Sequence, residues 1–269
     1  MEEIKYIINQ IRKAQKKKYD CTIALSGFVG EGKSTLSIQL MKAYYNIETF
    51  EQFKKMIREN LIYSRKSLMD MAENKKKQFL NTDEAVSVLF KRDFMKGDQK
   101  DLLKTLDICR SNKNVFTFNV PSFWSLDAHA IQTRIRLWIM VEKQKYAHIF
   151  FPKRNPFSLD VWNRTYNEKV YNKTRGFTKS PNYITTIKFN ALSKEEYKFY
   201  DEIKDLKKLE GVKEQEVETP TLTKKEALIW LWSNNPKLSN VELGKILKTN
   251  SVYVSRVLME HKRLTSLTT

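Results

Sequence analysis

The stretch Gly27-Phe28-Val29-Gly30-Glu31-Gly32-Lys33-Ser34-Thr35 limits what this chain can fold into more than any other. Glycine, four residues, then Gly-Lys-Ser is the spacing of a loop that cradles phosphate. Glycines let backbone N–H groups turn inward around a phosphate chain. A helix starting at Ser34 turns its unpaired N–H groups on the same charge. Lys33 reaches the β- and γ-phosphates, and the Ser34 hydroxyl is placed to ligate Mg2+. Gly27, Phe28, Val29, Gly30, Glu31, Gly32, Lys33, Ser34 and Thr35 are therefore the candidate ATP-binding set. The context fits. Cys21 to Leu25 reads as a short apolar strand, and Ser34 to Tyr45 carries Leu36, Leu40 and Ala43 on one helical face.

Further strand-like runs alternate with helical ones. Residues 3–18 place Ile4, Ile8 and Ile11 at helical spacing, and helices are expected at 47–59, 66–76, 84–95, 98–110 and 128–135. Leu61-Ile62-Tyr63 reads as a short edge strand, and Val115 to Val120 as a strand closed by Pro121. Leu137 to Phe151 reads as a hairpin and Tyr183 to Phe189 as one more strand. The alternation predicts an α/β fold with a mostly parallel sheet. Residues 1–209 form that domain, with a weakly periodic basic insert at 151–180. The acidic run 210–222, with Gly211 and Pro220, reads as a linker. Residues 223–269 read as a small all-helical domain containing a helix-turn-helix, winged-helix-like in plan.

Asp83-Glu84 supplies the acids a phosphate loop needs. Asp83 at a strand end is a second candidate ligand on the Mg2+ side, and Glu84 a candidate base for water attacking the γ-phosphate. An acidic helix cap is the plainer reading of the same pair. The phosphate loop followed by Asp83-Glu84-Ala85 resembles the additional-strand class of P-loop ATPases, whose sheet is RecA-like. The downstream order "DEAVSVLFKRDF", "LLKTLDICRSNKN", "VFTFNVPSFWSLD" is similar to zonular-occludens-toxin-like, terminase-like and FtsK/HerA-like DNA translocation and packaging ATPases of viruses and mobile elements. The resemblance covers residues 20 to 150. It implies an inserted strand between those of the loop and the acids. It also implies a polar sensor at Asn119, with Ser122 the alternative, where many members have glutamine. A trans-acting arginine is implied too, with Arg110 and Arg134 the candidates ahead of Arg136 and Arg92. It implies a homo-oligomer, a hexameric ring being one form, and a nuclease, capsid or replication partner.

The formal net charge is +18, which draws a chain toward polyanions. Residues 210–269 hold nine Lys/Arg against seven Asp/Glu, so almost all of the surplus lies in residues 1–209. Double-stranded DNA is the expected partner. Lys153, Arg154, Arg164, Lys173 and Arg175 in the insert are candidate backbone contacts. Trp162, Tyr166 and Phe177 there either pack or stack on bases. In the tail, Ser251, Tyr253, Ser255, Arg256 and Lys262 are the candidate groove-facing residues, with Val252, Val254, Val257 and Leu258 on the core side. Protein docking is the other use of such a tail.

No apolar run reaches the length of a membrane span, and Cys21 and Cys109 read as buried thiols in a reducing, cytoplasmic setting, the host's if the chain is viral. His129, His148 and His261 are scattered, so no zinc site is expected. The reading is an ATP-hydrolysing, DNA-engaged motor. A nucleotide-gated DNA-binding regulator or adaptor is the alternative, and a small-molecule kinase ranks behind both.

Overall fold

The computed structural model describes residues 2–83, 97–142, 145–153, 158–217, 224–235 and 238–265. The chain divides into two compact units, Met1–Lys213 and Glu214–Thr269. In the first, α1 (Glu2–Lys16) precedes β1 (Cys21–Ser26), α2 (Lys33–Tyr45), α3 (Phe50–Asn60), β2 (Leu61–Ile62), α4 (Arg65–Asn74) and β3 (Phe79–Thr82). After residue 96 come α5 (Gly97–Ile108), β4 (Val115–Val120), α6 (Ala128–Thr133), β5 (Ile135–Val141), β6 (Tyr146–Phe150), α7 (Arg164–Thr174), β7 (Tyr183–Lys188) and α8 (Lys194–Val217).

The strands form one sheet in the order β2-β3-β4-β1-β5-β6-β7. Strands β2 to β5 run parallel, and β6 and β7 add antiparallel at one edge. The fold is thus α/β with a mixed, mostly parallel sheet. Strand β4 lies between the loop strand β1 and the strand that leads to Asp83. Side chains alternate across the sheet. Ile23 and Leu25 join one core with the isoleucines of α1, while Ala24 joins the other with Phe116, Phe118 and Leu102. Residues of a central strand covered on both faces are all buried, as β1 and β4 are along their whole length.

Several expectations shift. The insert contains a helix, α7, with no buried residue, so its sequence carries no apolar stripe to read. The run from residue 210 that reads as linker continues α8 as far as Val217. Its acidic side chains tolerate a helix, and a single glycine costs only about 1 kcal/mol there. The helix expected at 84–95 lies outside the described residues.

The second unit holds α9 (Lys224–Asn234), α10 (Asn240–Ile246) and α11 (Ser251–Thr265), and no strand among its described residues. Leu228, Leu243, Val254, Val257 and Leu258 form its core. Ser239 and Glu242 make a reciprocal capping box that starts α10. Asn250 accepts the Tyr253 N–H at 2.7 Å to start α11. Val252 is exposed, not in the core as its apolar character implies. It sits two residues, roughly 200°, from Val254 on a helix, and so faces the opposite way.

Candidate active site

Beyond Ser26 the chain turns through Gly27 at φ 152°. A side chain cannot stand there, because a Cβ would lie 2.5 Å from the Val141 carbonyl oxygen. Gly32, at φ 98°, caps α2 in the left-handed region without a side-chain bond to the helix's first N–H groups. Those donors stay open to an anion. Lys33 folds over the loop and donates its ammonium to the carbonyls of Gly27 and Phe28, each at 2.8 Å. The Glu31 carboxylate accepts the Phe28 N–H at 2.6 Å. Burial pulls the Lys33 ammonium below its ordinary pKa, and the charges of Glu31 and Asp83 oppose that pull. The loop is held closed by its own lysine and glutamate, and phosphate oxygens can take over both sets of bonds.

Sheet register delivers the acid. Thr82 stands beside Phe118 and Ile62 beside Thr82. One residue further along each strand, Asp83, Asn119 and Tyr63 therefore meet. Asp83 is 3% exposed. Its Oδ1 accepts the Ser34 hydroxyl and the Asn119 amide, each at 2.8 Å. Its Oδ2 accepts the Tyr63 hydroxyl at 3.0 Å and the Tyr200 hydroxyl, which reaches in from α8. Asn119 also donates to the Ser37 hydroxyl at 3.3 Å. Burial first, and the charge of Asp83 second, push both phenols above their ordinary value, so they remain protonated donors. The Asn119 Oδ1 is buried with no hydrogen-bond partner, an acceptor left open within the cluster.

The donor set suits Mg2+. The ion prefers hard oxygens, keeps several waters, and takes one or two protein ligands plus phosphates. Ser34 and Asp83 offer such oxygens 2.8 Å apart beside the loop. Among the described residues no three His, Cys, Asp or Glu side chains gather as a self-sufficient metal set.

The structure brings Gly27–Thr35, Asp83 and Asn119 together. It does not bring Arg110 or Arg134 to them. Arg134 precedes β5 and is 4% exposed. It pairs with Asp20, and with Asp107 at 3.2 Å. Arg110 pairs with Asp107 at 3.3 Å and lines a groove with Cys21, at the amino end of β1. Glu84 and Arg154 lie outside the described residues, as does the side chain of Lys262. Lys153, Arg164, Lys173 and Arg175 are exposed, with Arg164 4.8 Å over the Trp124 ring. Trp162 is a core residue whose indole donates to the Ile131 carbonyl at 2.8 Å. On α11, Arg256 is exposed and lies over the Tyr253 ring, while Ser251 is half-buried. Ser255, also half-buried, accepts the Asn240 amide at 2.8 Å.

The sequence reading misses Tyr63, Tyr200 and Ser37. Tyr63 has a signal, because it follows the short strand that registers against β3. Tyr200 has none, since it lies 117 residues from Asp83 along the chain.

No protein-family model and no curated protein matches the chain. Among solved structures, the N-terminal domain of zonular occludens toxin from Neisseria meningitidis matches at 14% identity with a TM-score of 0.39. The match covers 68% of this chain and 98% of that one. The likeness is remote and brings neither residue roles nor activity to this chain.

Proposed function

We propose that the first unit binds and hydrolyses ATP with Mg2+, and that the chain uses the cycle to move or package DNA. One observation carries the reading: Asp83 bonded to Ser34 and Asn119, beside a glycine loop closed by Lys33. In this reading Gly27 to Thr35 hold the triphosphate, and Lys33 neutralises charge on its outer phosphates. Ser34 and Asp83 would hold the metal, and Asn119 senses the γ-phosphate. Glu84, next to Asp83 in sequence, activates the attacking water. A bound metal would act as a Lewis acid that stabilises the charge developing on the transferring phosphoryl group.

DNA is the partner because the charge surplus of residues 1–209 is that of a polyanion binder. The three helices of the second unit, with α10 and α11 joined by a short turn, support a helix-turn-helix contact through Arg256 and its neighbours. Assembly into a homo-oligomer belongs to the same proposal. A nucleotide-gated regulator is favoured by a different observation: Tyr200, on the helix that runs on beyond Lys213, touches the metal-side acid. Nucleotide binding would then be felt in α8 without any movement along DNA.

ATP hydrolysis with and without duplex DNA tests the proposal, using wild type, Lys33→Ala and Glu84→Gln. The expected result is DNA-stimulated turnover, reduced about 100-fold or more in each variant. Turnover that ignores DNA removes the motor. Nucleotide-dependent DNA binding without appreciable turnover replaces it with the regulator.

A further inference from the structure

A basic surface lies at the other end of the sheet from the glycine loop. The amino ends of β1 and β5 border a groove of about 790 Å³, lined in part by Lys13, Lys16, Lys17, Arg110 and Arg136. Its lining includes one carboxylate, Asp20, which is already paired with the buried Arg134. A second hollow of about 400 Å³ shares Lys13 and Lys16 with the first and adds Arg12, so the basic surface continues along α1. Arg12, Lys13, Lys16 and Lys17 all reach solvent. Among the described residues none of the three lysines is in an ion pair. The Nε of Arg110 is buried without a hydrogen-bond partner.

Like charges held this close repel one another, and a fold keeps them together at a cost to its own stability. A ligand carrying several negative charges in a row would relieve that cost. We propose that this groove binds the phosphodiester backbone of DNA. The proposal rests on the reading that the chain engages DNA, and it gives that engagement a place.

An anionic membrane is the other extended polyanion, and the geometry disfavours it. A helix that lies on a membrane buries its apolar face among lipids. The apolar face of α1, Ile4, Ile7, Ile8 and Ile11, is instead buried in the first core. The surface is also a groove, whereas a membrane is flat. Position matters for the mechanism. The six residues of β1 separate the groove from the loop by about 17 Å at the usual rise per residue. A strand bound there does not compete with nucleotide for phosphate-binding groups.

The test is binding of the full chain to a 30-base-pair duplex of arbitrary sequence, by fluorescence anisotropy across a salt series. The variants are Lys16→Gln, Lys13→Gln/Lys16→Gln/Lys17→Gln, and Lys66→Gln/Lys75→Gln/Lys76→Gln. The last removes the same charge from exposed positions elsewhere. Removing one lysine that grips a phosphate should lower the salt slope by about 1. The slope should therefore fall by about 3 in the groove triple variant, by about 1 in Lys16→Gln, and by far less in the control triple. Affinity for a fluorescent ATP analogue should stay unchanged in all three, which shows that the fold is intact.

Equal reductions in the groove and control triples overturn the assignment of DNA binding to this groove. An undiminished slope in the groove triple does the same and leaves DNA engagement standing. Absence of DNA binding by the wild type instead sinks the DNA reading itself. Vesicles containing 30% phosphatidylserine complete the set. If the groove triple no longer binds vesicles but still binds duplex, the surface is a lipid-binding one and the proposal fails.

Discussion

Asp83 is the residue on which the site turns, and its four donors are unequal in kind. Ser34 and Asn119 donate to one oxygen, Oδ1, and Ser34 belongs to the glycine loop. Tyr63 and Tyr200 hold the carboxylate by its other oxygen, and the Tyr200 hydroxyl also lies within hydrogen-bond reach of the Ser34 hydroxyl. Removing a hydrogen bond to a buried charge costs about 1.5–3 kcal/mol. Tyr63→Phe should lower stability to chemical denaturation by that amount and reduce hydrolysis, while nucleotide affinity remains. Asp83→Asn should instead abolish Mg2+-dependent tightening of nucleotide binding. The phenols also set a pH dependence. Both have a pKa raised in the folded state above the ordinary 10.0. Below pH 10 they are neutral in folded and unfolded chains alike, and their bonds to Asp83 are fully present. As pH rises past 10, the unfolded chain releases protons that the folded chain still holds, so folding stability falls. Denaturation midpoints measured from pH 8 to 11 should drop steeply in wild type and less steeply in Tyr63→Phe/Tyr200→Phe. Equal slopes would mean that the two hydroxyls do not carry the alkaline transition.

The pair Asp20–Arg134 acts between elements, joining the turn before β1 to the end of α6, with Asp107 of α5 as a third member. Burial pushes the Asp20 carboxyl above its ordinary pKa and pulls the Arg134 guanidinium below its own, each against the attraction of the partner. Removing one member of a buried pair strands the other, at about 3–5 kcal/mol. Arg134→Ala should therefore destabilise the fold by that amount. An arginine serving a neighbouring subunit's nucleotide would instead cost activity and leave thermal stability unchanged, so calorimetry separates the two roles.

The same elements explain what the sequence discloses. Strands β1 and β4 are readable because they are buried along their whole length, β5 because its buried and half-buried residues alternate, and helix α2 because it buries Leu36 and Leu40 one turn apart. Gly27 to Ser34 is readable because its chemistry is local. Helix α7 buries nothing and leaves no stripe. Arg134 looks like any arginine after a helix, because its partners Asp20 and Asp107 are remote in the chain. Tyr200 reaches Asp83 only through the packing of α8 on the sheet, which no spacing encodes.

At the scale of the whole molecule, charge at the nucleotide raises the question of assembly. Lys33 is the cation that folds over the loop. Arg110 and Arg136 line the groove at the far end of β1, and Arg134 is consumed by its carboxylates. Hydrolysis develops charge on the γ-phosphate that one lysine and one Mg2+ neutralise incompletely, and arginines commonly supply the difference. Two sources remain: the undescribed residues, which include Arg92 and Lys143, and a second copy of the chain. They predict different kinetics. A site completed within one chain gives turnover per subunit that is independent of protein concentration. A site completed by a neighbour gives turnover per subunit that rises with concentration until the assembly saturates. Mixing sharpens the distinction. Lys33→Ala chains added to wild type should depress turnover beyond simple dilution, because each inactive chain occupies a position beside an active one. We expect the cooperative result, with activity falling faster than the wild-type fraction. A linear fall would show each chain working alone, and Arg92→Ala would then become the variant that removes the missing charge.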